Sequence, residues 1–223
     1  MGAGRLSGFY FITDSSLTAR GIRSDVEAAL AGGAAVVQYR EKGRAPEELL
    51  EEARAVVELC RSAGVPCIAN DSIALARDAG ADGVHLGQGD APAGEAREEL
   101  GPDAIIGVSV GTPEEARAAE RAGATYIAAS PVFATTTKLD AGPGMGLEGL
   151  RALRGATGLP LAAIGGLTLD NIPDVAAAGA TSTDYTSPGR SPSTNGCCGP
   201  SNARSSPVPA TTSYGRCSAA SSR

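Results

Sequence analysis

The chain has 223 residues, a formal net charge of −6 at pH 7 and 42% hydrophobic residues. This length predicts one globular domain with an appended segment, because domains usually contain about 100–200 residues. No apolar run approaches the roughly 20 residues of a membrane helix, and the N-terminus lacks a signal-peptide core. We therefore expect a cytoplasmic protein without a membrane partner.

The charge is divided unevenly along the chain. Residues 180–223 carry four arginines and one aspartate, so this segment is +3 and the remaining residues are −9. Non-specific nucleic-acid binding depends on clustered positive charge. An acidic body therefore argues against a nucleic-acid partner, and the sequence leaves the oligomeric state open.

Short apolar, β-branched runs alternate with alanine-rich helical patterns from residue 9 to residue 179. Strands are predicted at 9–13, 34–39, 66–69, 83–86, 104–108, 125–129 and 160–164. Such alternation is typical of a parallel sheet. Seven units predict an α/β fold, a (β/α)8 TIM barrel with one unit missing. A doubly wound open sheet is the alternative, since the sequence does not give strand order.

Local signals mark the helices between these strands. Ser24-x-x-Glu27 and Thr112-Pro113-Glu114-Glu115 have the capping-box pattern, the second with proline at the first helical position. Glycines such as Gly80 and Gly123 end helices just ahead of the next strand. We expect each helix to connect two strands of the barrel.

The alternating pattern stops after Ala180. The last 44 residues contain eleven serines, six threonines and five prolines, but no leucine, isoleucine or phenylalanine. Such a segment cannot bury enough apolar surface to offset the entropy lost on ordering. We predict a TIM-barrel domain over residues 1–180 and a disordered tail over residues 181–223.

The tail begins where an eighth strand is expected, because residues 176–180 repeat the helix-to-strand junctions at 78–82 and 121–125. We hypothesise that the reading frame shifts near Thr181 and replaces the eighth βα unit; sequencing the coding DNA tests this. A native low-complexity tail is the alternative. Without an eighth strand, the first and seventh strands would be unpaired edges that invite aggregation.

In a parallel barrel the site lies at the carboxyl ends of the strands, and the residues there are unusually polar. Of 19 basic residues only Lys42 and Lys138 are lysines, and both follow predicted strands. A compact ammonium group is a common partner of phosphate and of a leaving group. Two solvated surface lysines are the alternative.

Asp71 and Asp90 follow neighbouring predicted strands. Together they predict a Mg²⁺ site, because this ion takes one or two carboxylates plus substrate phosphate oxygens. Taken singly, Asp71 is also a good N-cap for a helix that starts at Ser72, and Asp90 a turn residue before Pro92.

Other strand-end residues suggest phosphate and heterocycle binding. Thr135-Thr136-Thr137 and Gly165-Gly166 offer hydroxyls and open backbone N–H groups for a phosphate, although polar filler and a simple turn would look the same. The amides of Gln38 and Asn70 suit the edge of a heterocycle. His85 is the only histidine, and a lone histidine in a strand is more often packed than catalytic.

These motifs, in this order, resemble the thiamine-phosphate synthase family over about residues 9–180. The matching segments are Gln38-Tyr-Arg-Glu-Lys42, Asn70-Asp71, Gly83-Val-His-Leu-Gly-Gln-Gly-Asp90, Gly107-Val-Ser109, Ser130-Pro-Val-Phe-Ala-Thr-Thr-Thr-Lys138 and Ala163-Ile-Gly-Gly166. The resemblance implies a (β/α)8 barrel that joins a hydroxymethylpyrimidine diphosphate to a thiazole phosphate with Mg²⁺. The resemblance further implies that pyrophosphate leaves first, that the aminopyrimidine supports a carbocation, and that the thiazole nitrogen captures it.

The resemblance also implies roles for individual residues. The implied catalytic residues are Lys138, Arg40, Lys42 and Ser109, and the implied Mg²⁺ ligands are Asp71 and Asp90. The implied substrate-binding residues are Gln38, Tyr39, Arg40, Glu41, Lys42, Asn70, Ser109, Thr135, Thr136, Thr137, Lys138, Gly165 and Gly166. Cations aimed at a leaving group fit a reaction that needs no strong general base.

One departure from the family concerns activity. The family's eighth strand leads into backbone N–H groups that complete the thiazole phosphate site, and residues 181–223 show no such segment. We therefore predict weak or no activity unless a partner or swapped segment fills the gap. Two alternatives to the transferase remain: a thiazole tautomerase-like relative, and a non-catalytic remnant that binds a phosphorylated heterocycle. The Asn70-Asp71 and Asp90 set counts against the tautomerase.

Overall fold

The protein was analysed as a computed structural model that describes residues 6–41, 43–44, 46–135 and 143–184. Eight parallel strands lie in these residues. They are β1 (Gly8–Ile12), β2 (Ala34–Tyr39), β3 (Cys67–Asn70), β4 (Gly83–Leu86), β5 (Ile105–Val110), β6 (Tyr126–Ala129), β7 (Leu161–Ala163) and β8 (Ser182–Asp184). The seven predicted strands are confirmed to within two residues at each end.

Helices alternate with the strands throughout the described residues. They are α1 (Ile22–Ala31), α2 (Pro46–Ala63), α3 (Ile73–Ala79), α4 (Ala93–Leu100), α5 (Pro113–Arg121), α6 (Gly146–Ala156) and α7 (Ile172–Ala177). None of the described helices is both long and apolar enough to cross a membrane.

The two predicted helix starts have different outcomes. Thr112 is the N-cap of α5, and its hydroxyl accepts a hydrogen bond from the N–H of Glu115 at 3.2 Å, with Pro113 opening the helix as predicted. The prediction at Ser24 is wrong. The N-cap of α1 is Gly21, three residues before Ser24, so Ser24 lies inside the helix.

The strands form a closed barrel in the order β1 to β8, so the open-sheet alternative is excluded. The prediction that an eighth strand is missing is wrong. β8 pairs with β1 through Gly8↔Ser182 and Tyr10↔Asp184, and with β7 through Ala162↔Ser182. Main-chain groups make these bonds, so three polar residues close the barrel without large apolar side chains.

Closure by β8 corrects two further expectations. β1 and β7 have a partner strand on each side, so the expected unpaired edges are absent from the described barrel. The barrel also continues past the expected boundary at residue 180, since β8 ends at Asp184. The prediction of disorder from residue 181 is wrong for residues 181–184, which are ordered, and the remaining residues 185–223 lie outside the described residues.

Side chains alternate between the barrel interior and the surrounding helix layer, as the pleat requires. The interior cluster contains Leu6, Tyr10, Val36, Ile68, Tyr126, Ala128 and Ala162. On β2, the neighbours Val37 and Tyr39 instead pack with α1 and α2. This alternation decides which strand-end side chains can reach the centre of the barrel.

Arg97 on α4 ties the amino-terminal ends of β5 and β6 together. Its Nη1 donates to the carbonyls of Gly101, Pro102 and Ala104, each at 2.9 Å. Its Nη2 donates to the carbonyl of Gly123 at 2.9 Å and to Thr125 Oγ1 at 3.2 Å. One guanidinium therefore satisfies loop carbonyls that precede two strands, at the end of the barrel opposite the predicted site.

Candidate active site

The parallel barrel brings the carboxyl ends of all eight strands to one mouth. The predicted residues of the described part lie at the ends of β2, β3, β4, β5, β6 and β7 or in the loops that follow. Lys42, Thr136, Thr137 and Lys138 lie outside the described residues, so their predicted roles stay predictions.

At the end of β2, the side chains of Gln38 and Tyr39 point in opposite directions. Gln38 faces the barrel interior and is buried, and its Nε2 donates to the Tyr10 hydroxyl at 2.9 Å. Tyr39 points the opposite way, packs in the helix layer and donates its hydroxyl to Glu52 Oε2 at 2.9 Å. The pleat therefore turns the Tyr39 side chain away from the mouth, and a role for Tyr39 in substrate binding stays a prediction.

Arg40 and Glu41 connect the β2 end to the loop after β1. The Nη1 of Arg40 lies 3.0 Å from Asp14 Oδ2 in an ion pair whose side chains are mostly buried. The Thr13 hydroxyl accepts from the Arg40 N–H at 2.8 Å and donates to its carbonyl at 3.0 Å. Glu41 Oε2 accepts from the Ser15 N–H at 3.3 Å.

Thr13 and Asp14 are site residues that the sequence analysis missed. They follow β1 directly, although Thr13 is the last residue of the predicted first strand, 9–13. Because Asp14 holds the Arg40 guanidinium, it belongs to the same constellation as the predicted cation.

Asp71 follows β3 in an unusual backbone conformation, with φ at +63°. Its N–H donates to the carbonyl of His85 on β4 at 2.8 Å. The N-cap of α3 is Ser72, whose hydroxyl accepts from the N–H of Leu75, so the N-cap alternative for Asp71 is excluded. An L-residue held at positive φ costs free energy, a strain often found at functional sites.

Asp90 lies in the turn after β4, which also contacts β5. Its Oδ2 accepts a hydrogen bond from the N–H of Gly87 at 2.7 Å. Asp90 therefore stabilises the turn, as the alternative interpretation of this residue expected. Gln88 in the same turn donates its Nε2 to the carbonyl of Ser109 at 2.6 Å. The turn that carries Asp90 is thereby fixed beside Ser109.

Ser109 is the outer end of a buried hydrogen-bonded chain. Its Oγ lies 2.9 Å from Nε2 of His85, and Nδ1 of His85 lies 2.8 Å from the Tyr126 hydroxyl. Tyr126 in turn lies 2.7 Å from the Tyr10 hydroxyl, which accepts from Gln38. His85 is therefore packed, as its strand position suggested, and it also contacts a predicted site residue.

The two interior phenols stay protonated. Burial is the main reason that the pKa of Tyr10 is raised, and Asp184, which faces it from β8, adds to the effect. Burial also raises the pKa of Tyr126, with the neighbouring Tyr10 as the next cause. Both hydroxyls are therefore neutral hydrogen-bonding groups at physiological pH.

The loop after β6 and the loop after β7 lie against each other. The N–H of Phe133 donates to the carbonyl of Gly165 at 3.1 Å. A Cβ on Gly165 would lie 2.9 Å from Pro131 and 3.6 Å from Cγ2 of Thr135, and a Cβ on Gly166 would lie 2.7 Å from Phe133. Both glycines have positive φ, so close approach and backbone conformation together require glycine. Thr135, Gly165 and Gly166 are thus brought together as predicted.

A closed parallel barrel with polar side chains gathered at the carboxyl ends of its strands defines a (β/α)8-barrel enzyme. The family model of thiamine monophosphate synthase matches residues 9–185. The chain belongs to this family, and it is accordingly an enzyme, a transferase of thiamine biosynthesis.

Individual relatives agree with this assignment. A thiamine-phosphate synthase of Moorella thermoacetica is 52% identical over 155 residues, which cover 70% of this chain and 74% of that protein. A thiamine-phosphate synthase of Chloroflexus aurantiacus is 47% identical over 172 residues, covering 77% and 79%. The solved thiamine phosphate pyrophosphorylase from Pyrococcus furiosus superposes with a TM-score of 0.74 at 34% identity, covering 82% of this chain and 86% of that chain.

Proposed function

We propose that this chain condenses a hydroxymethylpyrimidine diphosphate with a thiazole phosphate at the barrel mouth. The bond between the pyrimidine methylene carbon and the diphosphate oxygen breaks, pyrophosphate leaves, and the thiazole nitrogen forms the new C–N bond. The observation that carries the proposal is the hydrogen-bonded set across β3, β4 and β5. Asp71 bonds to His85, His85 to Ser109, and Ser109 to the turn that carries Asp90.

The diphosphate end of this site is assigned to Ser109 and Arg40. Ser109 is partly exposed at the mouth and its hydroxyl is held by His85. Arg40 offers a guanidinium suited to phosphate oxygens, positioned by Asp14. Lys42 and Lys138 would add positive charge around the leaving group, as the family resemblance implies.

Asp71 and Asp90 suit Mg²⁺ as a donor set. Both carboxylates are exposed on adjacent strand-end loops, and Mg²⁺ is commonly held by one or two carboxylates together with substrate phosphates. One oxygen of Asp90 accepts from Gly87, and the carboxylate has a second oxygen for a cation. When bound, the ion would offset negative charge on the departing pyrophosphate. The described residues contain no group of three or more side chains typical of a fully protein-ligated metal.

The thiazole phosphate is assigned to Thr135, Gly165 and Gly166. Positive φ at both glycines exposes backbone N–H groups that suit an anion, and the Thr135 side chain lies beside them. The expectation of weak activity had two grounds. Closure by β8 removes the first, the missing strand, while the second concerns a phosphate-binding segment beyond Asp184 and outside the described residues.

The test is Mg²⁺-dependent release of pyrophosphate with formation of thiamine phosphate from the two substrates. We expect release to need both substrates, and Asp71→Asn to raise the Mg²⁺ concentration needed for half-maximal rate more than tenfold. Asparagine tolerates positive φ, so this variant removes charge without adding strain. Asp78→Asn is the matched control, because Asp78 pairs with Arg77 on the exposed side of α3. A chain that binds a phosphorylated heterocycle yet releases no pyrophosphate would support the remnant instead.

A further inference from the structure

Five polar side chains cross the barrel interior in one hydrogen-bonded line. It runs from Gln38 on β2 through Tyr10 on β1, Tyr126 on β6 and His85 on β4 to Ser109 on β5. Each step is between 2.7 and 2.9 Å, and all members except Ser109 are buried. Ser109, at the mouth, is the one member of the five that is partly exposed.

The direction of the first hydrogen bond in this line is fixed at its inner end. The Gln38 amide donates to the Tyr10 oxygen, which hydrogen bonds otherwise to Tyr126 within the described residues. Between Tyr10 and Tyr126 either hydroxyl can donate, and the roles of the His85 nitrogens depend on the tautomer. When the Tyr10 proton is directed at Tyr126, the Tyr126 proton is free to point at Nδ1 of His85. A neutral imidazole carries one proton, so in this arrangement that proton is on Nε2 and is donated to Ser109.

We propose that Tyr126 is a positioning residue that fixes the Nε2–H tautomer of His85, so that Ser109 accepts from His85 and presents its own proton to the mouth. This inference rests on the proposed function for one step, the contact between Ser109 and the diphosphate. In this orientation Ser109 is a hydrogen-bond donor to an anion. In the opposite orientation its proton would point inward, and its oxygen lone pairs would face the anion.

The strand facing Tyr126 is adapted to it. Gly107 pairs with Tyr126 between β5 and β6, and a Cβ at position 107 would lie 2.1 Å from Cζ and 2.3 Å from the hydroxyl of Tyr126. Only glycine leaves room for the phenol to reach both Tyr10 and His85. The line thus depends on a backbone position as well as on its own side chains.

The test is the nitrogen-15 NMR spectrum of the imidazole, which is simple because the chain has one histidine. In the unliganded protein we expect a protonated Nε2 and an unprotonated Nδ1. Tyr126→Phe should shift both signals, because Nδ1 loses its donor. Tyr39→Phe, which removes a buried phenol hydroxyl in the helix layer, should leave them unchanged. An Nδ1–H tautomer in the wild-type protein overturns the proposal. This measurement does not depend on whether Tyr126→Phe folds.

Kinetics test whether Tyr126 acts through Ser109. We expect Tyr126→Phe to lower kcat about 3- to 10-fold, the size of one hydrogen bond, with little change in the KM for thiazole phosphate. In a Ser109→Ala background the same change should have no further effect, because coupled residues are not additive. Effects that multiply in the double variant would contradict the proposal. If the wild-type protein has the Nε2–H tautomer but Ser109→Ala retains the full rate, the result would instead count against the proposed contact between Ser109 and the diphosphate.

Discussion

The Nη1 atom of Arg40 lies 3.0 Å from Oδ2 of Asp14, with 20% and 18% of the two side chains exposed. The pair joins the ends of β1 and β2 at the barrel mouth. It holds a guanidinium in place while leaving part of it accessible, which suits a cation that must meet a phosphate without reorganising.

Asp14→Asn should therefore weaken binding of the pyrimidine diphosphate more than it slows the reaction. A partly buried pair contributes about 1 kcal/mol, so we expect KM for this substrate to rise about 3- to 5-fold, with kcat nearly unchanged. Steady-state kinetics with thiazole phosphate saturating measures it. Glu27→Gln is the control, because its pair with Arg23 is exposed on α1. An unchanged KM in Asp14→Asn, beside a raised KM in Arg40→Ala, would show that Arg40 needs no positioning by Asp14.

Gly107→Ala should destabilise the barrel because its Cβ would overlap the Tyr126 ring. Overpacking of a core costs about 1–3 kcal/mol, which urea unfolding monitored by circular dichroism will detect. Gly94→Ala is the matched control, since a Cβ there meets nothing within 4 Å and Gly94 lies in helix α4. We expect this control to be neutral or to stabilise by roughly 0.4–1 kcal/mol. Equal stability of the two variants would mean that Tyr126 can move aside.

Arg97→Met should destabilise the protein without reaching the site. The methionine keeps the apolar stem but leaves loop carbonyls before β5 and β6 without their donor, a loss of about 2–3 kcal/mol. The same urea measurement applies, with Arg117→Met as control because the Arg117 pair with Glu114 is exposed. We expect KM for both substrates to be unchanged in Arg97→Met. If the free energy of unfolding falls no more in Arg97→Met than in Arg117→Met, the proposed role of Arg97 in linking the loops before β5 and β6 would be contradicted.

Tyr10, Tyr39 and Tyr126 should resist ionisation in alkali. Burial is the main reason that the pKa of each lies above the usual value near 10, and Glu52 adds to the shift of Tyr39. A raised folded-state pKa stabilises the protein fully below pH 10, and this contribution is lost as the pH rises above the unfolded-state pKa. The free energy of unfolding should therefore fall above about pH 10.

Ultraviolet absorbance of tyrosinate measures this directly. In guanidinium chloride all five tyrosines should ionise together near pH 10, whereas in the folded protein these three should ionise only when it unfolds. Ionisation of Tyr10, Tyr39 or Tyr126 near pH 10 in the native state, shown with single phenylalanine variants, would contradict the assigned burial.

Seven strands could be predicted because each is a short apolar run next to a helical pattern. β8 could not, since Ser182, Thr183 and Asp184 contain no apolar side chain and their pairing is made by the main chain. The frameshift hypothesis remains a prediction, and the family match continues to residue 185, past the proposed junction at Thr181. The pattern of apolar residues thus detects strands that bury apolar side chains, and it misses a strand such as β8 whose buried side chains are polar.

The site was predicted in part for a related reason. Strand-end position singled out Ser109, Asp71 and Asp90 as candidates, but it could not show which way a side chain points, and the Tyr39 side chain faces the helices. Contacts between residues distant in sequence were also invisible. The hydroxyls of Tyr10 and Tyr126 are 116 positions apart and lie 2.7 Å from each other.

The brevity of β8 makes its two joins, to β1 and to β7, a weak seam of the ring, and the join to β7 is the shortest of the barrel. Three residues pair with β1, and two residues pair with β7. The N–H of Gly8 donates to the carbonyl of Thr181, and the N–H of Thr181 donates to the carbonyl of Leu161. Both amide protons should exchange with deuterated water sooner than those in the longer ladder between β4 and β5. The barrel would then open transiently at this seam, next to Asp184 and to Tyr10 in the hydrogen-bonded line. Slower exchange at the seam than at β4 and β5 would disprove this.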